Sequence, residues 1–530
     1  MTDSAALDVP IAIHSRRTLG FVDSIEANSR AVLAAYTALY AFGFWVSASH
    51  KPFWFDEIFT FELAQLPRIG DIWQALRQGI ELNPPLLFWM TWILHKVFGG
   101  GPVVSRLPAA VGYWVMTVCL YHFVRRRTRP VYGLLAAFFP LFTFAYEFSA
   151  EARGYGLEIG FAGLALLCWQ FAADHVRRRI ALIGLTLTLA GALSSHYYAT
   201  YLIGTLLAGE LMRGYMRRRI DYPVVLAIIL GAFPLIAYRP LFGAVAQGAK
   251  HFWMSYPSAH VLFECYAGIV TPLLVVALPL LVYLAVNRPV DAFTGGTEDG
   301  LRPWEAVSAG LLALMPFVVF IAAFFVHVGF FNRYVILAVP GFAILCVSAL
   351  YRLTDGGAKL AGFLLSASVW ICVLPWCVWQ AVTIMAAPPP SNSPSMRSVA
   401  PARKDLAVVV ADENLFLQDW LYRSSHRTQP FVVLIDYQAA AKYTDNDTGQ
   451  RSLAVARRFW PVPAIDYREF VSRHSEFLLA RLSVHADWMA QKLMADGADL
   501  QLVEVHRDFG FLSPELQIFL VKTKPPSPVP

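Results

Sequence analysis

Charge is scarce in this chain. Of its 530 residues only 15% are charged, while 57% are hydrophobic; a soluble chain carries roughly 25% charge. That shortage excludes an ordinary soluble enzyme and points to an integral membrane protein, with apolar runs dominating up to about residue 385. Cysteine is sparse too. The six cysteines, Cys119, Cys168, Cys265, Cys346, Cys372 and Cys377, all fall in apolar segments, so the polar C-terminal part has no disulfide framework. Also missing are a P-loop, a GxGxxG after a strand, a CxxC and an HExxH. Their absence argues against an ATP-driven pump, a dinucleotide enzyme and a zinc protease. Residues 1–30 lack the apolar core of a cleavable signal, so the first span is expected to act as an uncleaved anchor. No tandem repeat is visible.

What is present begins with arginine. The formal charge of +6 is not a nucleic-acid signal, because the basic residues gather in short loops: Arg125–Arg127 with Arg129, Arg177–Arg179 and Arg217–Arg219. Such clusters hold loops in the cytoplasm. A span needs about 20 apolar residues, and such stretches lie near 31–50, 104–124, 131–147, 157–174, 180–196, 198–215, 222–240, 262–286, 304–326, 334–351 and 359–385. The expected fold is therefore an α-helical polytopic membrane protein of about eleven spans. The apolar run 84–99 opens on two prolines and carries His95 and Lys96, so it reads as a surface-lying helix. Leaving it out of the count puts all three arginine clusters and the N-terminus inside. A long outer loop, about 51–103, then follows the first span.

The layout divides into a cytoplasmic tail (1–30), a membrane domain (31–385), a Pro/Ser linker (386–401) and an outer soluble domain (402–530). In the last part "LAVVVA", "FVVLID" and "LQIFLVKTK" read as strands. "ENLFLQDWLYRS", "YREFVSRHSEFLLARL" and "HADWMAQKLMADG" read as amphipathic helices, giving a small α/β domain.

Candidate chemistry lies in the outer loops. "PFWFDEIFTF" places adjacent Asp56 and Glu57 among aromatics at a membrane surface, where carboxylates are expensive. They are either helix-capping, water-facing groups or a general base toward a hydroxyl. "ELNPPLLFW" offers Glu81 and Asn83 before a rigid Pro-Pro step, as a helix entry or as cavity-facing polar groups. In "SAEARGYGLE" Glu151 and Arg153 either pair to fix the loop, or Arg153 binds a phosphate through its planar fork. His196 sits at an outer hairpin. Lys250, His251 and Arg333 are basic residues on the outer side, exceptions to the positive-inside rule. They either snorkel to headgroups or attract a lipid phosphate.

In order and spacing, "FDE", "NPPLLFWMTWILHKVFG", "SRLPAAVG", "EARGYGL", "SHYYATYL" and "NRYVILAVPGFAIL" resemble the polytopic GT-C glycosyltransferases over residues 30–350. The nearest groups are the protein O-mannosyltransferase-like and RgtA/B/C/D-like bacterial enzymes, with the aminoarabinose lipid A transferase more distant. The resemblance implies a transferase that moves a sugar from a polyprenyl-phosphate donor to a cell-envelope glycan, lipid or protein on the outer face, usually with inversion. It carries Asp56 and Glu57 over as the acidic motif, with Asp56 as base. It carries Glu81, Asn83, Glu151, Tyr155 and His196 over as sugar or acceptor contacts. Arg153, Arg333 and Tyr334 become donor-phosphate contacts, to which the outer-loop reading adds Lys250 and His251. Asn83 stands where the family has His, which removes a proton-transfer group from that position. The resemblance leaves a divalent ion (Mg or Mn) open; clustered outer carboxylates could bind one. The competing class is a transporter or flippase of a lipid-linked precursor, which should carry polar breaks at mid-membrane. Here polarity gathers at the outer span ends.

Overall fold

The computed structural model describes residues 20–248, 250, 257–271, 273, 300–326, 330–386, 403, 405–422, 431–483, 487–507 and 515–523. His251, most of the linker 386–401 and the eighth expected span beyond residue 273 lie outside them. Helices occupy the expected apolar segments wherever these are described. Among the described residues three helices, Ser29–His50, Pro102–Arg125 and Tyr155–Ala173, are long and apolar enough to cross a membrane singly. Counting each bent pair as one span raises the number to six. Others are short or broken, such as Pro130–Phe142, which meets Phe144–Ala150 at 74°.

The long helices share one polarity of ends. Pro102–Arg125 has the buried Arg106 near its start and the first arginine cluster at its finish. Tyr155–Ala173 runs from Tyr155 to Asp174, about 28 Å at 1.5 Å per residue. At that far end the arginine turns are pinned together. Arg126 and Arg127 reach Asp174 at 2.6 and 2.8 Å, and Arg127 also reaches Glu305 at 2.6 Å. Asp221 accepts from both Arg178 and Arg213. Glycines let two of these helices touch backbone to backbone. A Cβ on Gly156 would lie 2.3 Å from the Ala109 carbonyl, and one on Gly112 would lie 2.3 Å from that of Gly156. Small residues serve this close approach in membranes.

The loop expected on the outer side, 51–103, folds into three helices, Phe55–Gln65, Ile69–Arg77 and Leu86–Phe98. The last buries Leu87, Phe88, Thr91 and His95 and exposes Ile93, Val97 and Phe98, as a helix lying in an interface does.

The C-terminal part is a six-stranded sheet in the order β3-β2-β1-β4-β6-β5. The strands are β1 (Val408–Val410), β2 (Phe431–Ile435), β3 (Ala464–Asp466), β4 (Glu476–Leu482), β5 (Asp499–His506) and β6 (Leu516–Lys522). β3, β2, β1 and β4 pair in parallel, and β6 pairs antiparallel with β4 on one side and with β5 on the other. One expectation fails here. "YREFVSRHSEFLLARL" is not one helix: it is helical over Tyr467–Arg473 and becomes strand β4 after His474. β4 lies between β1 and β6 with Phe477–Ala480 buried. Its apolar run carries no periodicity that tells a buried strand from a buried helix. The sheet's inner side joins the same hydrophobic core as the outer-loop helices, from Phe59 and Leu63 to Val408 and Ile518.

Candidate active site

A cavity of about 480 Å³ opens between the outer-loop helices, the ends of the membrane helices and the C-terminal domain. Asp56 lies in the first turn of Phe55–Gln65, where the positive helix end favours a carboxylate. Arg153 approaches it at 3.4 Å and binds Glu81 at 2.6 Å. Glu81 in turn accepts from the Asn83 side-chain amide at 3.1 Å. Arg153 sits in the turn before Tyr155–Ala173, and a Cβ on the neighbouring Gly154 would fall 2.4 Å from the Ser195 carbonyl. This contact seats the Arg153 turn directly against the His196 turn.

On the other flank, the His196, Tyr198 and Tyr334 rings lie 5.1 to 5.8 Å apart and nearly parallel. Tyr155 packs on the His196 ring at 5.2 Å. Burial, together with Arg153 and Arg333, holds the His196 imidazole down to about 3, so it is neutral near pH 7. Arg333 lies over the Phe331 ring at 4.5 Å and the Trp54 ring at 5.8 Å, and it lines the cavity with Arg153. The cavity thus holds several carboxylates, two guanidinium groups and an aromatic platform, a set able to accept a proton, bind an anion and stack on a ring face.

Of the residues expected here, Asp56, Glu81, Asn83, Arg153, Tyr155, His196, Arg333 and Tyr334 line this one cavity. Glu57 does not. It is fully buried, receiving Arg106 at 2.8 and 2.7 Å and the Ala152 amide at 2.7 Å. Arg106 also donates to the Ala48, Lys51 and Pro52 carbonyls. Glu57 therefore ties the loop to the bundle with its oxygens already occupied. Glu151 faces a second cavity and pairs with Lys51 at 2.9 Å. Lys250 is exposed on a turn and does not line the cavity. Among the described residues no group of three or more His, Cys, Asp or Glu side chains is placed to hold a metal ion. Arg153 places a positive charge between Asp56 and Glu81.

Two sets of residues escaped the sequence. Glu158 lies one turn beyond Tyr155, fully buried, with Oε2 3.6 Å from His196 Nδ1. A carboxyl inside an apolar span was the available signal. Asp412, Glu413 and Asn414, from the C-terminal domain, also line the cavity; only docking brings them there.

Residues 83–238 match the model of the dolichyl-phosphate-mannose-protein mannosyltransferase family. Among curated protein sequences none matches the chain. The fold is similar to that of ArnT from Cupriavidus metallidurans in the apo state. The two are 11% identical, with a TM-score of 0.56 over 93% of this chain and 98% of that one. The same protein bound to undecaprenyl phosphate gives 13% identity and a TM-score of 0.53, over 92% and 98%. The oligosaccharyltransferase of Archaeoglobus fulgidus is more remote, at 11% identity and a TM-score of 0.42 over 84% and 68%. The chain thus carries, over residues 83–238, a segment similar to that mannosyltransferase family, on a fold similar to that of ArnT.

Proposed function

We propose that the chain transfers a sugar from a polyprenyl-phosphate donor to a hydroxyl of a cell-envelope glycan, glycolipid or protein, on the outer face of a bacterial inner membrane. The observation that carries this is Asp56 beside two cavity arginines, Arg153 and Arg333. Asp56 takes the proton of the acceptor hydroxyl as its oxygen attacks the anomeric carbon. The bond from that carbon to the phosphate oxygen breaks, and the lipid phosphate leaves with the electron pair. A single displacement inverts the anomeric centre. Arg333 and Arg153 stabilise the charge that grows on the phosphate, Glu81 and Asn83 orient sugar hydroxyls, and the ring stack supports a sugar face. The arginine turns at the opposite end of the helices support an inside assignment for that end, with the cavity and the C-terminal domain outside.

The test is Asp56→Asn in the full chain, assayed for transfer from a polyprenyl-phosphate sugar and for binding of undecaprenyl phosphate. Transfer is expected to fall on the order of 10²–10⁴-fold with lipid binding kept. Wild-type transfer by the variant would remove Asp56 from the mechanism.

A further inference from the structure

The cavity has two walls of different chemistry. The membrane-domain wall carries the arginines and the stacked rings. The opposite wall comes from the C-terminal domain: Asp412, Glu413, Asn446, Thr448, Gly449 and Ser452. It holds carboxylate, amide and hydroxyl groups and no cation, so it disfavours a phosphate. Its mixture of donors and acceptors suits a ligand that offers many hydroxyls.

This wall is built, and it is registered to the reacting carboxylate. The Phe55 amide, one residue before Asp56, donates to Asn414 Oδ1 at 2.8 Å. The Phe53 amide donates to the Tyr422 hydroxyl at 2.8 Å, and Gln418 donates to the Phe53 carbonyl at 3.0 Å. Glu413 lies across the backbone of Gly449, where a Cβ would fall 1.5 Å from its Oε2. The Gln450 side-chain amide holds its other oxygen. Only glycine at 449 lets the carboxyl occupy that place. Desolvation pushes the Glu413 carboxyl up to about 7, so near neutral pH both its accepting and its donating forms are populated.

We propose that the C-terminal domain completes the site as a carbohydrate subsite, with Glu413, Asn446, Thr448 and Ser452 binding sugar hydroxyls beside Asp56. This rests on the glycosyltransferase function proposed above. The hydroxyls belong either to the donor sugar or to a glycan acceptor, and the test separates the two. The full chain in lipid nanodiscs is titrated with undecaprenyl phosphate, with the same lipid phosphate carrying a panel of hexoses and pentoses, and with a panel of free oligosaccharides. Wild type is compared with Glu413→Gln, Ser452→Ala and Gly449→Ala, each checked for an unchanged thermal midpoint. If Gly449→Ala fails that check, the other two decide.

The variants are expected to lose about ten-fold or more in affinity for a carbohydrate-bearing probe, with bare undecaprenyl phosphate bound as in wild type. Loss confined to the sugar-linked lipids assigns the subsite to the donor; loss confined to the oligosaccharides assigns it to the acceptor. Unchanged carbohydrate binding in the variants, an equal loss for the bare lipid, or no carbohydrate binding by wild type would each overturn the subsite. Failure of wild type to bind undecaprenyl phosphate would instead count against the lipid-donor function, and the oligosaccharide arm would then judge the subsite.

Discussion

Adjacent residues on a helix point about 100° apart, and this divides Asp56 from Glu57. Asp56 meets the cavity, while Glu57 meets Arg106 in a pair with both side chains at 0% exposure. Removing one member of such a pair strands the other charge and costs about 3–5 kcal/mol. Glu57→Ala should therefore lower the unfolding midpoint of the full chain far more than Asp56→Ala. Equal midpoints would show that the buried pair does not hold the loop. The sequence marked the acidic doublet but not this division. What separates the two residues is Arg106, 49 positions away, and no local pattern contains it. His196 carries a pH signature. Its folded value of about 3 lies below the ordinary value near 6.5. Between those limits the unfolded chain binds a proton that the folded chain refuses. The stability contribution is therefore full above about pH 6.5 and is lost as pH falls toward 3. His196→Phe, which keeps the ring stack, should flatten the fall in unfolding midpoint between pH 7.5 and 5. An unchanged slope would assign that fall to other groups.

At the scale of elements, the site depends on how closely helices approach. Gly156→Ala would push a methyl group onto the Ala109 carbonyl and should cost about 1–3 kcal/mol, with reduced transfer because Arg153 and Tyr155 move with that helix. Gly204→Ala, with nothing within 4 Å of the added Cβ, is the control and should be neutral or stabilising. Equal midpoints for the two variants would mean that the helices separate without penalty. Helix positions were readable from the apolar runs, because twenty apolar residues have few other places to go. Their breaks were not: the 74° bend near Thr143 arises where Pro130–Phe142 gives way to a short 3₁₀ segment. Strand β4 stayed hidden for a related reason. "EFLLARL" is apolar without alternation, and its place beside β1 and β6 is settled by pairing, not by propensity.

At the scale of the whole molecule, the C-terminal domain and the outer loop share a core. Phe59 of the loop meets Trp460 of the domain at 5.9 Å between ring centroids. A double-mutant cycle, Phe59→Ala with Trp460→Ala, should give a coupling of about 0.5–1.5 kcal/mol in chemical denaturation of the full chain. Strict additivity would show that domain and loop unfold independently. A change of composition near residue 386 announced the C-terminal sheet region, but its seat over the cavity was not legible, because contacts such as Phe55 to Asn414 join positions 359 residues apart. The opposite end of the molecule carries a consequence for biogenesis. Glu305 has 0% side-chain exposure and is neutralised by Arg127, made 178 residues earlier. At about 5–20 residues per second, Arg127 gains Asp174 within about 10 s but waits on the order of 10–35 s for the Glu305 carboxylate to emerge from the ribosome. Until then Arg127 has only Asp174, a carboxylate it shares with Arg126. Insertion of the late helix Pro303–Ala313 is thus the step that locks the early ones, so a chain arrested before residue 305 should present an open, protease-sensitive bundle.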